Sequence, residues 1–119
     1  MRKSGKSLPV QIVKTPTPAE KLMAEGMKAY EEADYVKSVK LLQDTLKETL
    51  SPANQILAHK FSAFSYCLSN RMTLCRAEFE KILLLYPNFE LDAAESGHPS
   101  WGPPFRTVKA KQKLAPAKK

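Results

Sequence analysis

The sequence predicts an all-α fold: two helical hairpins followed by a C-terminal capping helix, with basic segments at both ends. Three observations predict it. Apolar residues recur at three- and four-residue spacing through most of residues 17–112. Thr17-Pro18 and Ser51-Pro52 each mark a helix start. No segment alternates apolar and polar residues as a strand does, apart from the short "PVQIV" at 9–13.

At 119 residues the chain holds one small domain plus its ends. A hydrophobic share of 43% supports a modest core. The longest apolar run is Ile82 to Tyr86, far short of the roughly 20 residues that cross a bilayer. The opening "MRKSGKSLPVQIVKTPTP" is basic and lacks the apolar stretch and cleavage site of a secretory signal. Two readings stand: a cytoplasmic protein starting at Met1, or an exported one whose signal has been removed. The net charge of +7 belongs to the ends. Residues 1–20 carry +3, residues 103–119 carry +6, and residues 21–102 carry −2. Basic ends suit nucleic acid or an anionic surface. No aromatic is interleaved with the terminal lysines, so a solvated tail is the favoured reading and nucleic acid a disfavoured partner.

Residues 1–16 read as a flexible basic linker, because Pro9 and Pro16 disfavour helix. Thr17 caps the first helix, Pro18 takes its first position and Glu20 completes a capping box. Leu22, Met23, Gly26, Met27 and Tyr30 follow at helical spacing. The helix ends near Ala33, where Asp34 caps the next. Tyr35, Val39, Leu42 and Leu46 form one face of that second helix. Ser51 and Pro52 start a third, with Ile56, Phe61, Phe64 and Leu68 along it. "SNR" at 69–71 breaks the chain. Met72, Cys75, Phe79, Ile82 and Leu83 make a fourth helix, stopped by Pro87. Pro103-Pro104 starts a fifth near 103–112, with Phe105 and Val108 on one face. The helical domain thus spans 17–112, with units at about 19–50 and 56–88, a cap at about 92–112, and a basic tail at 113–119.

The two hairpins repeat. Setting Gly26 against Ala63 places Tyr30 opposite Cys67, Ser38 opposite Cys75, Leu42 opposite Phe79 and Thr45 opposite Ile82, an offset of 37 residues. Small residues in both helices of a hairpin let the backbones approach closely. This pattern resembles the tetratricopeptide repeat. The second unit carries Ala63, Tyr66, Cys75, Phe79 and Pro87 at the family's spacing. The first carries Gly26, Tyr30, Ser38 and Leu42, and departs in having Leu50 where the proline belongs. A narrower resemblance rests on "FSYCLSNRMTLCRAEF", a proline, and then "AESGHPSWGPPF". These are similar to small tetratricopeptide proteins encoded with bacterial type VI secretion systems, some of them envelope lipoproteins. That resemblance implies an accessory or assembly role at the bacterial envelope or periplasm. It implies a lipid anchor if an export signal has been removed, and the cytoplasm if Met1 is the native start.

The resemblance also implies a partner-binding groove lined by the first helix of each unit, here Met23, Met27, Tyr30, Lys60, Phe64 and Leu68. The groove lacks the paired Lys and Arg that would clamp an acidic C-terminus. Two units are few for a repeat stack, so the open side of the second hairpin needs a cover or a second copy. His98, Trp101 and Phe105 either plug that side or form a partner patch. Cys67 and Cys75 flank the tight break. They are either a disulfide within reach across the hairpin or two small core residues. Their spacing does not suit zinc. His59 is poorly placed as a base for Cys67, and no carboxylate is evident to orient either histidine. "SGKS" at 4–7 lacks the upstream glycine and strand of a phosphate loop. Glu31 and Glu32 read as a solvated helix end. The sequence-level expectation is a non-enzymatic protein-binding adaptor, monomeric or weakly dimeric, without cofactor or metal. The alternative is a binder of nucleic acid or anionic surfaces through the basic ends.

Overall fold

The computed structural model describes residues 15–114, and those residues are all-helical without a strand. The elements are α1 (Pro18–Glu31), α2 (Tyr35–Thr45), α3 (Pro52–Leu68), α4 (Met72–Leu85), α5 (Ala93–Ser96) and α6 (Gly102–Leu114). The expected linker lies outside the described residues except for Thr15 and Pro16, and with it "SGKS" and "PVQIV".

Local chemistry sets the helix starts. Glu20 N–H donates to Thr17 Oγ1 at 3.1 Å and Thr17 N–H donates to Glu20 Oε1 at 2.9 Å, the reciprocal capping box. Asp34 accepts from Lys37 N–H and Ser51 from Asn54 N–H. Each hairpin turns on one left-handed residue, Ala33 at φ 62° and Asn70 at φ 67°. Those two positions also differ by 37 residues, so the repeat extends to the turns. Asparagine tolerates that conformation, whereas an alanine there costs about 1–2 kcal/mol.

The repeat is visible in burial. Gly26 and Ala63, Ser38 and Cys75, Leu42 and Phe79, and Thr45 and Ile82 are all buried. At Gly26 the reason is a close approach: a Cβ there would lie 2.8 Å from Leu42 Cγ. α1 packs on α2, α2 on α3, and α3 on α4. The main core joins Ala63, Phe64 and Cys67 of α3 to Cys75, Phe79, Ile82 and Leu83 of α4. Cys67 and Cys75 form a disulfide, with their Cα atoms 5.2 Å apart.

The capping helix expected near 103–112 is α6, Gly102–Leu114. The expected reading did not include the short α5 and the irregular segment that precede it. Past Pro87 the chain doubles back along α3, with Glu95 beside Lys60 and Trp101 beside Phe64. It then reverses, and α6 runs in the direction of α4. Phe105 meets Phe79 with ring centroids 5.2 Å apart, and Gln112 Nε2 donates to the Leu83 carbonyl at 3.4 Å. Lys109 Nζ donates to the carbonyls of Pro87 and Phe89 at 2.8 and 2.9 Å, satisfying backbone acceptors just past the end of α4. α6 runs through Lys113 to Leu114, two residues past the expected end of the cap at about 112. Residues 115–119 lie outside the described set.

Candidate partner-binding face

α1 and α3 lie side by side, and their shared face carries a row of aromatic and thioether side chains. The Tyr30 ring stands 5.0 Å from Phe61 at 72°, an edge-to-face contact, and 6.4 Å from Phe64. Met23 and Met27 are half-buried on α1, about two turns and one turn before Tyr30 respectively. Burial, with Tyr35 and Glu95 nearby, pushes the Tyr30 hydroxyl above its ordinary value of 10.0. Lys60 reaches Glu95 Oε2 at 2.7 Å, while its Nζ sits 5.3 Å from the Phe61 ring centre.

Five of the six expected groove residues, Met23, Met27, Tyr30, Lys60 and Leu68, are half-buried on α1 and α3. Phe64 is the exception at 1% exposed. Trp101 stacks on it with ring centroids 3.8 Å apart, and His98 stacks on the other side of Trp101 at 3.7 Å. Trp101 Nε1 donates to the Glu95 carbonyl at 2.8 Å, which gives the buried indole its polar partner. Trp101 and Phe105 are thus inside the core, with Val108 beside them, and Phe64 belongs to that core rather than to an open groove. The reason is supply. Among the described residues no third hairpin follows the second, and the segment that holds Trp101, Phe105 and Val108 covers it.

A second polar cluster has no counterpart in the sequence reading. His59 Nδ1–H donates to Glu78 Oε1 at 2.8 Å, and Lys81 Nζ reaches Glu78 Oε2 at 3.0 Å. A carboxylate therefore does orient His59, contrary to expectation. The residues are 19 apart, on different helices, so no spacing rule could pair them. Burial raises the Glu78 carboxyl, but the hydrogen bonds from His59 and Lys81 outweigh it and hold the group below its usual value. Neighbouring polar contacts continue through the helix interfaces. Gln43 Nε2 donates to Ser62 Oγ at 3.1 Å, and Ser38 Oγ donates to the Gly26 carbonyl at 2.8 Å. These groups face one another, not a cavity, so they satisfy buried polarity.

Cys67 and Cys75 are joined, and neither carries a thiol. Among the described residues no group of three or more His, Cys, Asp or Glu is placed to hold a metal ion. None of their helices is long and apolar enough to cross a membrane. Glu31 and Glu32 are exposed at the end of α1. The chain matches no protein-family model, no curated protein and no solved structure.

Proposed function

We propose that this chain is a tetratricopeptide-like interaction module without catalytic activity, serving as an adaptor or assembly factor. The observation that carries the reading is the half-buried row of Met23, Met27, Tyr30 and Phe61 on two adjacent helices. Methionine and aromatic side chains adapt to different apolar surfaces, and a rigid helical scaffold holds them in one register. Lys60 and Glu95 border the row with paired opposite charges. The occupant is an apolar segment of a protein partner. The resemblance to the small proteins of bacterial type VI secretion supports an accessory role at the envelope. A disulfide that staples α3 to α4 fits an oxidising compartment. A lipid anchor would follow from a processed N-terminus.

The test is peptide selection by phage display against the whole chain, followed by methyl mapping by nuclear magnetic resonance. Selected peptides should shift the Met23 and Met27 methyl groups and lose binding in a Met27→Ala/Tyr30→Ala variant. Selection without enrichment, or shifts confined to other surfaces, would remove the reading. Binding that collapses with added salt and is abolished by Lys111→Ala/Lys113→Ala would favour the alternative, an anionic partner held by the basic end. Deleting 106–119 would not be a clean comparison, because it removes the buried Val108 and Lys109.

A further inference from the structure

The two hairpins also meet at a second surface, which borders the α1–α3 face at Tyr35. A cleft of about 160 Å³ opens where the start of α2 passes the α3–α4 turn. Its walls are Tyr35, Val36 and Val39 from α2, Tyr66 from α3, and Arg71 and Leu74 from the turn and α4. Val36 is 72% exposed and Leu74 44% exposed, so two aliphatic side chains stand in water at its rim. Apolar side chains grouped around a concavity mark a contact site more often than isolated ones do. The volume is well below the several hundred Å³ typical of a small-molecule or cofactor pocket, and it suits one aliphatic side chain.

Charge selects the occupant. Arg71 is the only charged residue of the cleft, it is exposed, and no carboxylate of the described residues pairs with it. The chain's own remaining ends are poor candidates. Residues 1–14 hold Arg2, Lys3, Lys6 and Lys14, residues 115–119 hold Lys118 and Lys119, and neither stretch holds an acidic side chain. Either would bring like charge to Arg71. A second copy docked symmetrically would set one Arg71 against another. We infer that this cleft docks a protein segment presenting one aliphatic side chain beside a carboxylate, with the aliphatic group between Val36, Val39 and Leu74 and the carboxylate on Arg71. The cleft adjoins the methionine-aromatic row through Tyr35, whose ring lies 6.1 Å from that of Tyr30. Val36, Val39, Leu74 and Arg71 are not part of the row, so either site can fail without the other.

The probe is the tripeptide acetyl-Asp-Leu-Glu-amide, titrated into the whole chain while valine and leucine methyl resonances are followed. Shifts should concentrate on Val36, Val39 and Leu74. Acetyl-Asn-Leu-Gln-amide and the Arg71→Ala variant should each weaken binding about two- to fivefold, the span of an exposed ion pair. Acetyl-Asp-Ala-Glu-amide should weaken it about tenfold through the lost apolar contact. Val36→Lys, at a site too exposed to disturb folding, should weaken binding as well. Absence of shifts in the cleft, or equal binding of the acidic and amide peptides, would overturn the inference. So would an alanine peptide that binds as well as the leucine one.

Discussion

The two hairpins share a register but are held together differently. In α1–α2 the contact is small against large. Gly26 admits Leu42, Ser38 bonds to the Gly26 carbonyl, and Ala19, Ala29 and Thr45 complete the buried set. No aromatic ring there is fully buried. In α3–α4 the same positions hold Ala63, Cys75, Phe79 and Ile82, and the hairpin gains a disulfide and an aromatic lid. The main core cluster takes no fully buried residue from α1 or α2, and only Tyr30 packs against it from that side. One repeat can thus be stabilised by close backbone approach or by a large apolar core. The second arrangement should resist local opening longer.

The sharpest way to break this comparison is to unseal the second hairpin. Trp101→Ala removes both contacts of the Phe64–Trp101–His98 stack and should cost about 3–5 kcal/mol in denaturant unfolding. A loss under about 1 kcal/mol would mean that the lid adds little to the core. Next in size is the staple. Replacing both Cys67 and Cys75 by serine should cost about 2–3 kcal/mol, as for a short closed loop. Hydrogen exchange should then speed up in α3 and α4 and leave α1 unchanged.

The first hairpin is tested at its narrowest point. Gly26→Val must push Leu42 aside and should cost about 1–3 kcal/mol. The accompanying exchange should be confined to α1 and α2, and an equal response in α4 would show that the hairpins open as one unit. The smallest effect is expected from pH. The folded Glu78 carboxyl lies below its ordinary value of 4.5, so its contribution is present at neutral pH. It is lost as pH falls from the ordinary value through the folded one. Glu78→Gln should lower the melting temperature near neutrality and narrow the gap to the parent chain in acid. A constant gap across that range would remove the carboxylate from the stability of the α3–α4 interface.

Some of this was legible in advance because its causes are local. Thr17, Asp34 and Ser51 cap the residues that follow them, and prolines sit where a missing N–H costs nothing. Gly26 with Ser38 and Ala63 with Cys75 exposed the repeat, because close helix packing admits only small side chains. The α3 reading was less complete. Spacing picked out Ile56, Phe61, Phe64 and Leu68, yet the fully buried residues include the consecutive run Ser62–Ala63–Phe64–Ser65. A helix packed by α2, α4 and the lid has no single core face, so periodicity describes only part of it.

Composition, caps and apolar spacing by themselves determined an all-α chain, its two hairpins, their turns and their common register. These depend on residues within a few positions of one another or on a fixed repeat. Only the tertiary structure decided that Trp101 covers Phe64, that α6 follows the direction of α4, and that His59 meets Glu78. It alone assembled the cleft around Arg71. In each case the partners come from separate elements, and what joins them is the need to cover apolar surface and satisfy buried polar groups. The repeat count shows that the second hairpin needs a cover and points to Trp101 and Phe105, but which rings and charges meet is defined only by the packed molecule.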